Sequence, residues 1–353
     1  MPASTTVARE EGYDPAWLEL EAAMGGRKHL SGSFAEKRVQ FNALSDTMQA
    51  LWPRPLVDGK GKAVDVEVED LTIPAPSSSK STEIPLRIYR PRPSEEEKAK
   101  VPLPLIVWYH GGGWMGGTLD SEHAQCQLIA AGVPAAVVSV DYGLLPENST
   151  AGMLADCVAG FEWVWANAAS SRLGGDARRV VVLGGSAGGA LAYGVVRELV
   201  LKGEGDKCRG AVGVFPVTIH AMTPPEKWRG LVKSCGSELW ETAPVVRGVD
   251  QKGVLDLAAE RSPANDPLFI VKFTYEEEVL KKFPRTYIAT SSKDLMQDDG
   301  TVLEAALKDV GVPVRREHYE GLPHYFWFFP QLGEKTMRFV EDLVKGVRWV
   351  LEN

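Results

Sequence analysis

The chain has 353 residues, with 39 Lys+Arg against 47 Asp+Glu, a formal net charge of −8, and 44% apolar and 24% charged residues. These are globular proportions, which exclude extended disorder, a collagen-like repeat and a disulfide-stapled miniprotein, and the length allows two domains or one large α/β domain with insertions. The negative balance, without a stripe of Lys and Arg, argues against a nucleic-acid partner.

Residues 1–12 are polar and acidic and lack the apolar core of a secretion signal. No run approaches the ~18 apolar residues that would span a bilayer, so a soluble, cytoplasmic protein with no membrane partner is expected. From 14 to 51 the apolar residues recur at helical spacing, and two helices are predicted, interrupted at Gly25-Gly26 and at 31–33. Residues 64–73 and 84–89 alternate apolar and polar in period two, which predicts two antiparallel strands at a sheet edge with one face in solvent. The charged run 95–100 is expected to be a solvated loop.

Beyond residue 100 the pattern changes. Continuous apolar runs at 103–109, 135–140, 180–183, 211–215 and 286–289 suit parallel strands covered on both faces. Long amphipathic segments at 153–169, 187–201, 301–310 and 332–351 alternate with them. A doubly wound α/β architecture follows: a central, mostly parallel sheet with helices on both faces. Only 217–264 breaks the rhythm, being irregular and aromatic, and it is expected to be an inserted subdomain.

The four cysteines, Cys126, Cys157, Cys208 and Cys235, form no C-x-x-C pair and no Cys/His cluster at zinc-ligand spacing, so no metal site is indicated. Two other segments carry chemistry. Residues 180–189 contain G-x-S-x-G directly after an apolar strand and directly before a helical stretch. In that setting a sharp turn lifts the Ser186 hydroxyl above the sheet, at the positive end of a helix, where a developing anion is favoured. The second is His110-Gly-Gly-Gly-Trp114 at the end of the first continuous strand. Three bare glycines let backbone N–H groups point into a cavity and hold a tetrahedral oxyanion. Both pieces fall at strand C-terminal ends, where open α/β sheets place ligands.

Together with Asp141-Tyr-Gly-Leu-Leu-Pro-Glu147, Asp294-Leu-Met-Gln-Asp-Asp-Gly300 and His324, these motifs resemble, in order, those of the hormone-sensitive-lipase-like (GDXG) carboxylesterases of the α/β-hydrolase fold. The resemblance runs from about residue 64 to the C-terminus. It implies Ser186 as nucleophile, Asp294 as the acid and His324 as the base, with backbone N–H groups of Gly112, Gly113 and Ala187 as the oxyanion hole and His110 as a structural member of its loop. Asp298 and Asp299 compete for the role of the acid, but they precede a helix and suit N-terminal capping. His318 competes for the base, but it falls within an apparent strand over 312–319, whereas His324 follows Gly321-Leu-Pro in a loop. His29, His123 and His220 have no motif around them and are expected at the surface or in packing, with a substrate contact left open for His220 beside the insertion.

The resemblance further implies a two-part cap, formed by residues 1–55 and 217–264 over a core of 56–216 and 265–353. Aromatics from the cap and catalytic loops, Trp114, Trp228, Trp240 and Phe326, are the expected substrate contacts. The expected reaction is hydrolysis of a small-to-medium acyl ester of an apolar or aromatic alcohol through an acyl-enzyme, with no metal or organic cofactor. A homodimer through a sheet edge stays open, as do a non-hydrolytic binding role and lactone opening, acyl transfer or elimination. Two positions depart from the family pattern: Gly185 stands where an Asp usually precedes the serine, and Gly143 where an Arg usually follows Asp-Tyr. Both are expected to affect rigidity or substrate fit rather than the chemistry.

Overall fold

The computed structural model describes residues 12–92 and 102–352; residues 1–11 and the charged run 95–100 lie outside them. Eight strands form one sheet in the order β1-β2-β4-β3-β5-β6-β7-β8. They are β1 (Val66–Pro74), β2 (Glu83–Pro91), β3 (Leu103–Tyr109), β4 (Ala136–Val140), β5 (Gly175–Gly185), β6 (Gly210–Val214), β7 (Arg285–Lys293) and β8 (Val314–Pro323). The β1–β2 and β2–β4 pairings are antiparallel and all others parallel. The alternating sequences thus make one edge of the sheet, and the continuous apolar runs make its buried middle.

Period-two geometry divides each central strand between two cores. Leu105, Val107 and Tyr109 of β3 pack with α4 (Thr150–Ala166), α5 (Ala187–Leu201) and α7 (Gln297–Asp309) on one face. Ile106 and Trp108 pack with α3 (His123–Gly132) and α8 (Glu334–Leu351) on the other. Helix α3 has no counterpart in the sequence reading. Most of its residues are buried and no side chain caps its start, so it lacks both an amphipathic stripe and a start signal.

Among the described residues, two helices precede the sheet, α1 (Pro15–Ala23) and α2 (Phe34–Ala50). Asp14 caps α1, accepting from Ala16 N, and Ser33 and Glu36 form a reciprocal capping box at α2. The β6–β7 connection, residues 215–284, contains the 13-residue helix α6 (Gly248–Glu260) within the interval expected to be irregular, along with shorter helical turns. It is joined to the N-terminal helices by polar contacts: Lys37 to Asp250 at 2.8 Å, Arg27 Nη1 to Thr242 O at 2.6 Å, and His29 Nε2 to Ala243 O at 3.1 Å. These elements roof the C-terminal ends of the central strands.

Candidate active site

Ser186 sits between β5 and α5 with φ 53° and ψ −118°, a conformation that L residues rarely adopt and that costs of order 1–3 kcal/mol. Backbone hydrogen bonds hold it there: Ser186 N–H donates to Val214 O at 2.8 Å, and Val217 N–H donates to Ser186 O at 3.1 Å. The elbow also demands close approach, because a Cβ on Gly188 would lie 2.0 Å from Tyr109 O.

His324 Nε2 lies 2.9 Å from Ser186 Oγ, and His324 Nδ1 lies 2.8 Å from Asp294 Oδ2. Ser186 is 8% exposed, His324 3% and Asp294 1%. The other Asp294 oxygen accepts Met296 N–H at 2.9 Å, which fixes the carboxylate. The Phe215 ring meets the imidazole edge-on at 6.0 Å. With Asp294 holding Nδ1–H, Nε2 is free to accept the hydroxyl proton.

Gly112 and Gly113 adopt φ 121° and 62°, and Ala187 is the first residue of α5. Their three amides have no protein acceptor among the described residues, and all three residues line the same cavity as Ser186 and His324. Helix α5 points its positive end there, so the place suits an oxyanion. Beside it Trp114, at φ 58° and 1% exposed, donates Nε1–H to Ala187 O at 2.9 Å.

The cavity has a volume of about 600 Å³. Its walls are mainly apolar: Met24, Phe41, Leu44 and Met48 from the N-terminal helices, Val254 and Leu255 from α6, and Phe328 and Phe329 beyond His324. Arg27, Lys37, His29 and Asp250 also line it.

Of the expected aromatic contacts, Trp114 lines this cavity, whereas Trp228, Trp240 and Phe326 do not. Trp228 is held against α7, where neighbouring Lys227 bonds Asp309. The Trp240 ring lies across the start of α6, where a Cβ on Gly248 would come within 2.0 Å of it. Phe326 is buried between Phe215, Tyr319 and Phe339. Tyr325 adopts φ 56°, and the turn that follows carries Phe326 into the core while Phe328 and Phe329 face the cavity.

The competing residues are engaged elsewhere. His318 Nδ1 lies 2.8 Å from Thr290 Oγ1 on the sheet edge. Asp298 accepts the amides of Lys233 and Ser234, and Asp299 those of Thr218 and Ile219, so both tether the β6–β7 connection to α7. His110 stacks on Tyr142 at 4.4 Å, with Nδ1 2.8 Å from Gly111 O and Nε2 3.6 Å from Asp141 Oδ1. Burial opposes charge on His110, but the Asp141 carboxylate and the Gly111 carbonyl outweigh it and raise its pKa. His29 was expected at the surface or in packing; it lines the cavity and bridges the two parts of the roof.

The two departures are sterically explained. A Cβ on Gly143 would lie 2.3 Å from Asn148 Nδ2, and the Gly143 amide donates to buried Asp156 at 3.0 Å, so the loop closes where an arginine would need room. A Cβ on Gly185 would lie 1.9 Å from the Tyr325 hydroxyl. That hydroxyl donates to Glu122 Oε1 at 2.7 Å, and neither Tyr325 nor Glu122 was legible as part of the site.

Comparison with known proteins agrees with this architecture. Residues 106–328 match the family described as having the alpha/beta hydrolase fold. The versiconal hemiacetal acetate esterase of Dothistroma septosporum is 35% identical over 340 residues, covering 96% of this chain and 95% of that protein. The chain belongs to the hormone-sensitive-lipase-like carboxylesterases of the α/β-hydrolase family. The carboxylic ester hydrolase LipN of Mycobacterium tuberculosis is 31% identical over 69% of this chain and 62% of its own length. Among solved structures, vibralactone cyclase superposes with a TM-score of 0.81 at 25% identity, covering 97% of this chain and 96% of that one. The family is one of ester hydrolases, and among the described residues no helix is long and apolar enough to cross a membrane.

Proposed function

We propose that the protein is a serine carboxylesterase that hydrolyses a small-to-medium acyl ester of an apolar or aromatic alcohol through an acyl-enzyme. The observation that carries this reading is the relay from Asp294 through His324 to Ser186, at 2.8 and 2.9 Å, on the floor of a cavity. His324 Nε2 takes the Ser186 proton as Oγ attacks the ester carbonyl. The carbonyl oxygen becomes an anion held by the amides of Gly112, Gly113 and Ala187. Collapse of this intermediate breaks the bond to the alcohol, which leaves with the proton from His324. Water then repeats the sequence on the acyl-enzyme and releases the acid, while Asp294 steadies the imidazolium in both halves.

The apolar walls support an apolar or aromatic alcohol, and the relative named for an acetate ester supports a short acyl group. Cysteines that form no disulfide support a cytosolic location. The test is intact-mass spectrometry of wild type and Ser186→Ala after a p-nitrophenyl phosphonate, with initial rates on p-nitrophenyl acetate, butyrate and octanoate. One adduct on wild type, absent from the variant and matched by loss of turnover, is expected. Folded wild type with neither adduct nor turnover sinks the reading.

The likeness to a cyclase favours a second reading, in which a hydroxyl of the bound acyl group displaces Ser186 in place of water and a ring is released. Product analysis separates the two, since hydrolysis yields one carboxylic acid per alcohol.

A further inference from the structure

Behind the oxyanion loop lies an acid for which the proposed chemistry has no step. Glu122 is 3% exposed and precedes α3. Its Oε1 accepts the Gly111 N–H at 3.0 Å and the Tyr325 hydroxyl at 2.7 Å, and its Oε2 accepts the Trp108 indole N–H at 2.5 Å. Trp108 belongs to β3, Gly111 opens the oxyanion loop, and Tyr325 directly follows His324. The indole and the amide can only donate, so the carboxylate is fixed as an acceptor on both oxygens. Burial pushes the Glu122 carboxyl up, and the three hydrogen bonds oppose that push. A buried carboxylate with three donors aimed at it is an expensive way to fill space.

The ring of Tyr325 extends this network to the elbow. It fills the space above Gly185, the residue before Ser186. One carboxylate therefore braces, directly or through Tyr325, the segment carrying the oxyanion amides, the segment carrying the base and the turn carrying the nucleophile. The family usually carries an acid on residue 185 itself; here the acid comes from Glu122, and the emptied position receives a tyrosine.

We propose that Glu122 and Tyr325 are a positioning pair that holds Gly111, and through it aims the Gly112 and Gly113 amides at the oxyanion formed on substrates of Ser186. This rests on the serine-hydrolase reading. Both residues border the cavity, but the pair enters no step of that mechanism and acts on the transition state rather than on substrate binding. Its loss therefore lowers kcat while leaving KM nearly unchanged.

Glu122→Leu fills much the same space but accepts no hydrogen bond, so Gly111, Trp108 and Tyr325 all lose this partner. Tyr325→Phe keeps the ring over Gly185 and removes one bond to Glu122. The experiment measures kcat and KM on p-nitrophenyl butyrate, the affinity for butylboronic acid, whose tetrahedral adduct on the serine mimics the intermediate, and the unfolding midpoint. For Glu122→Leu a fall of about ten- to hundredfold in kcat is expected, with weaker boronate binding in parallel and KM within about twofold. A smaller fall of the same form is expected for Tyr325→Phe.

Folded Glu122→Leu with kcat and boronate affinity within about twofold of wild type overturns the proposal, as does a change confined to KM. If Glu122→Leu does not fold, Tyr325→Phe decides alone: unchanged kcat and boronate affinity overturn the pair. Wild-type turnover and phosphonate labelling are measured first. Their absence removes the hydrolase reading and this proposal with it, whereas their presence beside unaffected variants removes only the positioning role.

Discussion

The hydroxyl of Tyr325 stands 1.9 Å from the point where a Cβ on Gly185 would begin. Tyr325 cannot easily yield, because it is buried and bonded to Glu122. Gly185→Ala must therefore push the ring aside or shift the elbow, at a cost of about 1–3 kcal/mol in denaturant unfolding. Gly185→Ala combined with Tyr325→Ala should cost less than the sum of the single changes, since removing the ring removes the collision. Strict additivity would show that the two positions do not compete for space.

Gly112 offers a sharper test of the oxyanion loop. Its φ is 121°, and a Cβ would lie 2.2 Å from Gly116 O, so Gly112→Ala forces the loop out of shape at the place where its amide faces the cavity. Turnover of p-nitrophenyl butyrate should fall about a hundredfold or more, with a small change in KM. Wild-type kcat in the folded variant would remove Gly112 from the oxyanion hole.

The catalytic turns were legible because each is a local event. A glycine-flanked serine between an apolar strand and a helix, and three glycines at a strand end, constrain the backbone whatever surrounds them. The sheet was legible for a similar reason, since strands buried on both faces need continuous apolar runs. Helix α6 was not: Arg247 at its start makes no capping bond, and Gly253 interrupts its interior. Of the four aromatics expected in the cavity walls only Trp114 is there, because Trp228, Trp240 and Phe326 satisfy burial equally well by packing elsewhere. Glu122 gave no signal, since an acid 11 residues beyond Gly111 becomes significant only when the chain folds it back beneath the loop.

The two parts of the roof meet through few polar contacts, of which Lys37 with Asp250 is a half-buried ion pair lining the cavity. Asp250 keeps Arg247 as a second partner at 2.9 Å, so Lys37→Met should lower the unfolding midpoint only slightly. Its effect should fall on substrates long enough to reach the roof. KM for p-nitrophenyl octanoate is expected to change by up to about fivefold, while kcat on the acetate is retained. Equal effects on both esters would place the pair's influence on the chemistry instead of the fit.

Asp299 links stability to pH. Its Oδ1 accepts the amides of Thr218 and Ile219, its carbonyl accepts the Thr218 hydroxyl, and its side chain is buried at the start of α7. Burial pushes its carboxyl well above the ordinary range; the two amides oppose this, and the charges of Asp294 and Asp298 add to the rise. The folded protein thus holds this proton more tightly than the unfolded chain does. The associated stability is complete below the unfolded value, about 3.9, and is lost as pH rises through the higher folded value. Asp299→Asn retains an oxygen for the two amides and carries no charge at any pH. Its unfolding midpoint should exceed that of wild type most clearly near pH 8, and the gap should narrow as the pH is lowered toward the carboxylate range. A gap that stays constant or widens on acidification would show that the charge on Asp299 is accommodated without cost, and that its bonds to the β6–β7 connection outweigh its burial.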